Sequence, residues 1–158
     1  MKPIILCPID FSAHSRSALR HASALAAKSH GRLAVLFVED PLLFAAVSAH
    51  REAAARADLL VKLKKFVNRT LGPRPSGDKA LTYEIAVGNP AKAIQHTARR
   101  LGCNLIVMGS HGLTGAMRML LGSTTDKVLR QARVPVLAIP LGPRAGLARV
   151  LTGARKRA

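Results

Sequence analysis

The chain has 158 residues, enough for one domain of ordinary size with a single core. Apolar residues make up 49% and aromatics 3%, so that core has to be built from Ala, Val, Ile and Leu, a mixture that suits helices packed on a sheet. A formal charge of +17 attracts polyanions without telling nucleic acid, anionic lipid and phosphorylated metabolites apart; two cysteines give no ground for a disulfide framework, and no apolar run reaches the roughly 18 residues of a membrane span.

Ile4–Ile9 is short, rich in branched residues and nearly unbroken, which predicts a strand buried on both faces. Cys7 lies in it and, like Cys103, reads as a buried thiol of a reduced compartment. The apolar run stops at Asp10, too short for a secretory signal, so the expectation is a cytoplasmic protein. From Ala13 to His30 the small apolar residues Ala18, Ala22, Leu25 and Ala26 recur on one helical face, and Gly31 is expected to supply the left-handed stop. Leu33–Val38 repeats the buried-strand pattern.

From Arg51 to Leu71 an apolar stripe (Leu59, Leu63, Phe66, Val67, Leu71) predicts a helix whose basic residues Arg56, Lys62, Lys65 and Arg69 form a solvated face. Leu81–Val87 alternates apolar and polar residues, as an edge strand does. Asn89 and Pro90 read as N-cap and first residue of the next helix, with Ile94, Ala98 and Leu101 inward and Gly102 closing it. Leu105–Met108 and Val136–Ile139 are two more buried strands, separated by a helix that starts at Ser123 and carries Val128, Leu129 and Ala132. Beyond residue 140 the segment 141–158 holds five Arg or Lys and no acid, and reads as a flexible basic tail on a domain of residues 1–140.

Strict strand–helix alternation requires parallel pairing through crossovers. The predicted fold is α/β: a five-stranded parallel sheet, doubly wound, in the order 3-2-1-4-5. Ligands of such sheets bind beyond the carboxyl ends of the strands where the winding reverses, here between the first strand and the fourth. Those strands end at Asp10 and at Gly109, the most polar and the most glycine-rich termini of the chain.

The segment MGSHGLTGAMRMLLGSTTDK (108–127) follows the fourth strand. Gly109 and Gly112 flank Ser110 and His111, where missing β-carbons let backbone N–H groups approach an anion. Gly122 precedes a helix start at which Ser123 and Asp126 could form an acidic capping box, and a helix N-terminus offers unpaired amides to phosphate. Between them Leu113, Met117, Leu120 and Leu121 recur at near-helical spacing, so the run is expected to fold back and bring Gly122 toward Gly109. On spacing alone the glycines serve an anion site or ordinary turns equally well. Neither the P-loop G-x-x-x-x-G-K-[ST] nor the dinucleotide G-x-G-x-x-G occurs.

The spacing G-x2-G-x9-G-S at Gly109, Gly112, Gly122 and Ser123 resembles the ATP-binding signature of universal stress proteins. The likeness extends to IILCPIDFSAHSRSAL, LAVLFVED, VGNPAKAIQHTARRLGCNLIVMGSHG and DKVLRQARVPVLAIP, most of the chain up to residue 140. It implies a Rossmann-like fold of that family and a crevice for ATP, alone or with Mg2+. In that crevice Asp10, with Pro8 beside it, approaches the ribose and Val38 the adenine; Met108, Gly109, His111 and Gly112 form the near wall, and Gly122, Ser123, Thr124 and Thr125 hold the phosphates. Plainer roles stand beside these: Asp10 capping the turn before Ser12, Ser123 serving as an N-cap, Val38 as core and His111 as a solvated loop residue. The other histidines, His14 included, read as surface or helix-face residues with no assigned role.

The resemblance implies a nucleotide-dependent stress or regulatory protein and a homodimer through the last strand. No residue is placed to activate water and no metal cluster or catalytic set is visible, so hydrolysis is expected to be slow if it occurs. The alternative is a polyanion-binding module using the +17 charge and the Arg-rich tail on nucleic acid or a membrane surface. An adenylating or phosphoryl-transferring enzyme is disfavoured, since PIDFSAHS stands where an S-G-G-x-D-S pyrophosphate loop would be needed.

Overall fold

The computed structural model describes residues 2–42, 52–73, 78–111, 121–141 and 149–151. Its elements are β1 (Ile4–Ile9), α1 (Ala13–Lys28), β2 (Arg32–Glu39), α2 (Glu52–Leu71), β3 (Leu81–Val87), α3 (Pro90–Arg100), β4 (Leu105–Gly109), α4 (Ser123–Gln131), β5 (Val136–Ile139) and β6 (Arg149–Leu151). Five parallel strands stand in the expected order 3-2-1-4-5, and β3 is an edge as its alternation predicted. A sixth, short strand from the basic segment runs antiparallel to β5, with Val136, Leu137 and Ala138 opposite Leu151, Val150 and Arg149.

The period of two along a strand sends alternate side chains to opposite faces, and both faces are apolar here. Ile5, Cys7 and Ile9 of β1, Leu33 and Val35 of β2 and Val107 of β4 meet Ala18, Leu19 and Ala22 of α1 and Leu63, Phe66 and Val67 of α2. Leu6, Ala34, Leu36, Ile106 and Met108 meet Ala91, Ile94 and Ala98 of α3 and Val128 of α4 on the other face. The two cysteines are buried in different clusters and unpaired; burial pushes the Cys7 thiol up and raises Cys103 to about 11, so both are uncharged at neutral pH.

One helix stop differs from expectation. His30, at φ 51, takes the left-handed conformation assigned to Gly31. Gly31 is required for a different reason: a β-carbon there would lie 2.5 Å from the Pro3 carbonyl oxygen. The next residue, Arg32, donates its N–H to that oxygen at 2.8 Å, so glycine lets the chain enter β2 tightly against β1.

Pro8 shapes the sheet where the site forms. Ile4 gives its carbonyl to the Asn104 N–H on the β4 side, and backbone groups alternate sides along a strand, so Pro8 also faces β4. It has no N–H to offer. Pairing of β1 with β4 is confined to Ile5 with Leu105 and Leu6 with Ile106, although both strands run further. Beyond Leu6 no further pair joins them, while β1 stays paired with β2 as far as Ile9 opposite Phe37.

Candidate functional site

A crevice of about 230 Å³ lies at the carboxyl ends of β1 and β4. Its lining includes Pro8, Asp10, Val38, Met108, Gly109, His111, Gly122, Ser123, Thr124 and Thr125, which are the residues singled out from the sequence apart from Gly112, a residue outside those described. Ile9, Ser15, Pro90 and Ile94 also line it and were not foreseen. Pro90 and Ile94 had been assigned to helix start and core. They reach the crevice because α3 packs on the same sheet face as Val38 and Met108, so these four residues supply an apolar wall.

The two glycine bends meet. The Gly122 N–H donates to the Ser110 carbonyl at 2.7 Å, and the Thr125 hydroxyl donates to the Gly109 carbonyl at 2.8 Å. Ser110 in turn donates its N–H to the Ile139 carbonyl of β5 at 2.8 Å, which ties the first bend to the sheet. The run that connects the bends, residues 112–120, lies outside the described residues, so its expected helical spacing goes untested.

The start of α4 departs from the capping box expected of Ser123 and Asp126. Gly122 is the N-cap, with extended backbone (φ −67, ψ 151), no side chain caps the helix, and Ser123 is its first helical residue. Asp126 instead holds the Arg130 guanidinium one turn on, with Nε 2.9 and 3.1 Å from the two carboxylate oxygens. The ion pair (i, i+4) takes the carboxylate away from the amides it would have capped. An uncapped helix N-terminus thus faces the crevice with unpaired N–H groups and partial positive charge, a suitable arrangement for an anion.

Across the crevice Asp10 serves its local turn as well as the cavity. Its Oδ1 accepts the Ser12 N–H at 3.1 Å, and Ser12 caps α1 by accepting the Ser15 N–H at 3.1 Å. Phe11, between them, has a left-handed backbone with φ 63, which a bulky residue adopts only under constraint. The constraint is aromatic: the Phe11 ring lies 4.8 Å from Phe37 and 5.4 Å from Phe66. Packing of that half-buried ring holds it on the core beside the turn that carries Asp10 to the cavity.

His14 has a neighbour that the sequence did not show. Read as a surface or helix-face residue, it is half-buried in the first turn of α1 with its ring 5.3 Å from that of His111. The approach depends on Gly109, where a β-carbon would fall 2.8 Å from His14 Cβ and 3.0 Å from the His111 carbonyl oxygen. Desolvation first, then the neighbouring His111, holds His14 below the usual histidine range, with Asp10 acting in the opposite direction. Among the described residues no group of three or more His, Cys, Asp or Glu side chains could hold a metal ion, and no helix is long and apolar enough to cross a membrane.

Comparison with known proteins agrees with this architecture. The universal stress protein MJ0531 of Methanocaldococcus jannaschii is 32% identical over 143 residues, which cover 85% of this chain and 80% of that one. The solved structure of MJ0577 from the same organism superposes with a TM-score of 0.69 at 30% identity, covering 90% of this chain and 98% of the other. A universal stress protein solved in complex with cAMP superposes with a TM-score of 0.62 at 22% identity, covering 88% and 97%, a likeness of fold alone. Residues 1–140 match the profile of the universal stress protein family from one end to the other of the parallel sheet, and the chain belongs to that family.

Proposed function

We propose that this chain is a nucleotide-binding universal stress protein that holds ATP or a close relative in the crevice between β1 and β4 and acts as a stress-response or regulatory switch. One observation carries the reading: the uncapped N-terminus of α4 is held against the first glycine bend by Gly122 and Thr125, across the cavity from a carboxylate and next to an apolar wall. Each part matches a part of a nucleotide. Amides and hydroxyls suit phosphate oxygens, Asp10 suits ribose hydroxyls, and Val38, Met108, Pro90 and Ile94 suit a purine face. The cAMP complex of a protein with this fold supports the choice of ligand class. Among the described residues no cluster of His, Cys, Asp or Glu could hold Mg2+, and an ion carried on the phosphates fits the reading.

Fast hydrolysis is not part of the proposal. Asp126, the acid nearest the phosphate end, is engaged by Arg130 and is poorly disposed to take a proton from water. Calorimetry of the purified chain with ATP is expected to give a saturable single-site isotherm, and turnover with Mg2+ is expected to stay below about 1 s⁻¹. Absence of a saturable signal refutes nucleotide binding; faster turnover refutes the switch in favour of an enzyme.

The homodimer proposed through the last strand meets a specific obstacle, because β6 already pairs with the outer edge of β5. A second copy can use that edge only where β6 leaves it. A chain ending at Pro140, where the family match also ends, is therefore expected to sediment as a dimer at micromolar concentration, with the full chain shifted toward monomer. A truncated chain that stays monomeric would remove the edge-to-edge dimer.

A further inference from the structure

We propose that the outer face shared by α3 and α4 is a docking surface for the sugar-phosphate backbone of double-stranded nucleic acid, bound without regard to sequence. This surface does not depend on the nucleotide reading above. Lys92, Gln95 and Arg99 follow one another at spacings of three and four residues, so they form a single stripe along α3. Gln95 Nε2 donates to Gln131 Oε1 at 3.0 Å, which sets that stripe beside the one that carries Lys127 and Gln131 on α4. Near the carboxyl ends of both helices Gln95, Arg99 and Arg133 edge a notch of about 30 Å³ whose remaining lining is apolar.

Charge on this face is one-sided. The carboxylates beside it are already matched: Asp126 holds Arg130, and Glu84 of β3 holds Arg100 at 2.6 Å. Lys92, Arg99, Lys127 and Arg133 are exposed and form no ion pair among the described residues. The helix dipole accounts for a cation at Arg99, in the last turn of α3. It does not account for Lys92, which stands in the first turn, where positive charge is unfavourable and no acid offsets it. The opposite layer is basic too, but its charges are differently engaged. Arg16 lies on the Phe66 ring at 5.4 Å and Lys64 on the Tyr83 ring at 5.8 Å, while Glu52 and Asp58 interrupt the basic residues of α2.

A duplex backbone fits this face better than other anionic surfaces do. α3 and α4 carry no Phe, Tyr or Trp on which unpaired bases could stack, which disfavours a single strand. The amides of Gln95 and Gln131 are engaged with each other and so are not presented to base edges. The exposed large apolar residues among those described are Leu42, Val61 and Leu141, none of them on these helices, so a membrane would gain no apolar insertion here. What the face offers is positive charge. Lys92 and Arg99 stand about 10 Å apart along α3, with a second basic row beside them, an arrangement that binds phosphates through release of their counterions.

The test is fluorescence anisotropy of a labelled DNA duplex of about 20 base pairs and mixed sequence, titrated with the full chain at salt from about 50 to about 200 mM. Lys92→Gln, Arg99→Gln and Arg133→Gln combined are expected to weaken binding at least about tenfold at low salt. They are also expected to flatten the slope of log affinity against log salt by about 2 to 3, close to 0.9 for each lost phosphate contact. Arg20→Gln, Lys62→Gln and Lys65→Gln remove the same charge from the opposite layer and are expected to change the slope by less than about 1. Equal losses from both combinations would reduce the effect to net charge and overturn the docking face. Absence of duplex binding by the wild-type chain at about 50 mM salt overturns it as well, as does tighter binding of a single strand of the same length. Vesicles of phosphatidylserine and phosphatidylcholine test the competing partner: if the first combination weakens vesicle binding and leaves duplex binding unmoved, the nucleic-acid assignment falls. The substituted side chains are exposed, and a thermal melt checks the fold. Should the combined variant melt early, the three single substitutions decide, each expected to flatten the slope by about 0.9, and three unchanged slopes overturn the proposal.

Discussion

Replacing Gly122 by valine is expected to lower ATP affinity at least about a hundredfold, close to 2.7 kcal/mol, while the melting transition stays cooperative. The separation of the two effects follows from the backbone. Gly122 sits at φ −67 and ψ 151, extended values that a β-branched residue adopts without strain, and valine retains the N–H that donates to Ser110. What changes is space. Gly122 lines the crevice at the N-terminus of α4, so three new carbon atoms stand where an anion would approach the helix amides. Loss of glycine at an N-cap costs at most about 1 kcal/mol of stability, far less than the binding lost. Calorimetry with ATP beside a thermal melt measures both quantities. Affinity within a few-fold of wild type would mean that the phosphates do not lie on this helix end.

Gly109→Ala is expected to act in the opposite proportion, destabilising the fold by about 1–3 kcal/mol as well as weakening ATP binding. The added β-carbon would come 2.8 Å from His14 Cβ and 2.9 Å from its carbonyl carbon. A flexible side-chain tip could swing away, but a helix backbone cannot do so cheaply. Either α1 retreats from β4, at a loss of packing around Ala18 and Leu19, or the end of β4 shifts and takes the Gly109 carbonyl away from the Thr125 hydroxyl. Denaturant unfolding measures the stability change, and His14 and His111 chemical shifts report whether their rings separate. A variant as stable as wild type, with the ring pair unmoved, would show that the contact is looser than drawn.

The sheet was legible because its strands are encoded locally. β1, β3 and β5 begin and end where the runs of branched or alternating residues do, and Asn89 with Pro90 marks the start of α3 without help from the rest of the fold. Position within the sheet was legible too, since only β3 alternates. The helix stop after α1 was misplaced because the requirement for glycine at position 31 comes from Pro3, a contact that no local pattern records. β6 was invisible for a related reason: its three residues carry little pattern of their own and take their place by pairing with the open edge of β5.

For the site, spacing of the glycines located the two bends, and the resemblance supplied the partners across the cavity. The start of the helix at Ser123 was legible, but the absence of a Ser123–Asp126 capping box was not, because Gly122 takes the cap position and Asp126 pairs with Arg130. Nor could His14 be found from sequence. It matters only because the missing side chain at Gly109 lets α1 settle onto the end of β4, and helical periodicity alone makes it one surface position among several.

The imino ring at position 8 has a wider meaning for how such a cavity changes over time. The missing main-chain donor sets where the ladder between β1 and β4 stops, and the apolar residues around the crevice take no part in that. Val38, Pro90, Ile94 and Met108 can be exchanged for others of similar bulk, redrawing the apolar wall of the crevice, while the ladder still stops at the same rung. The fold thereby separates the point where pairing ends from the surface that meets a guest, and the second can drift without endangering the first.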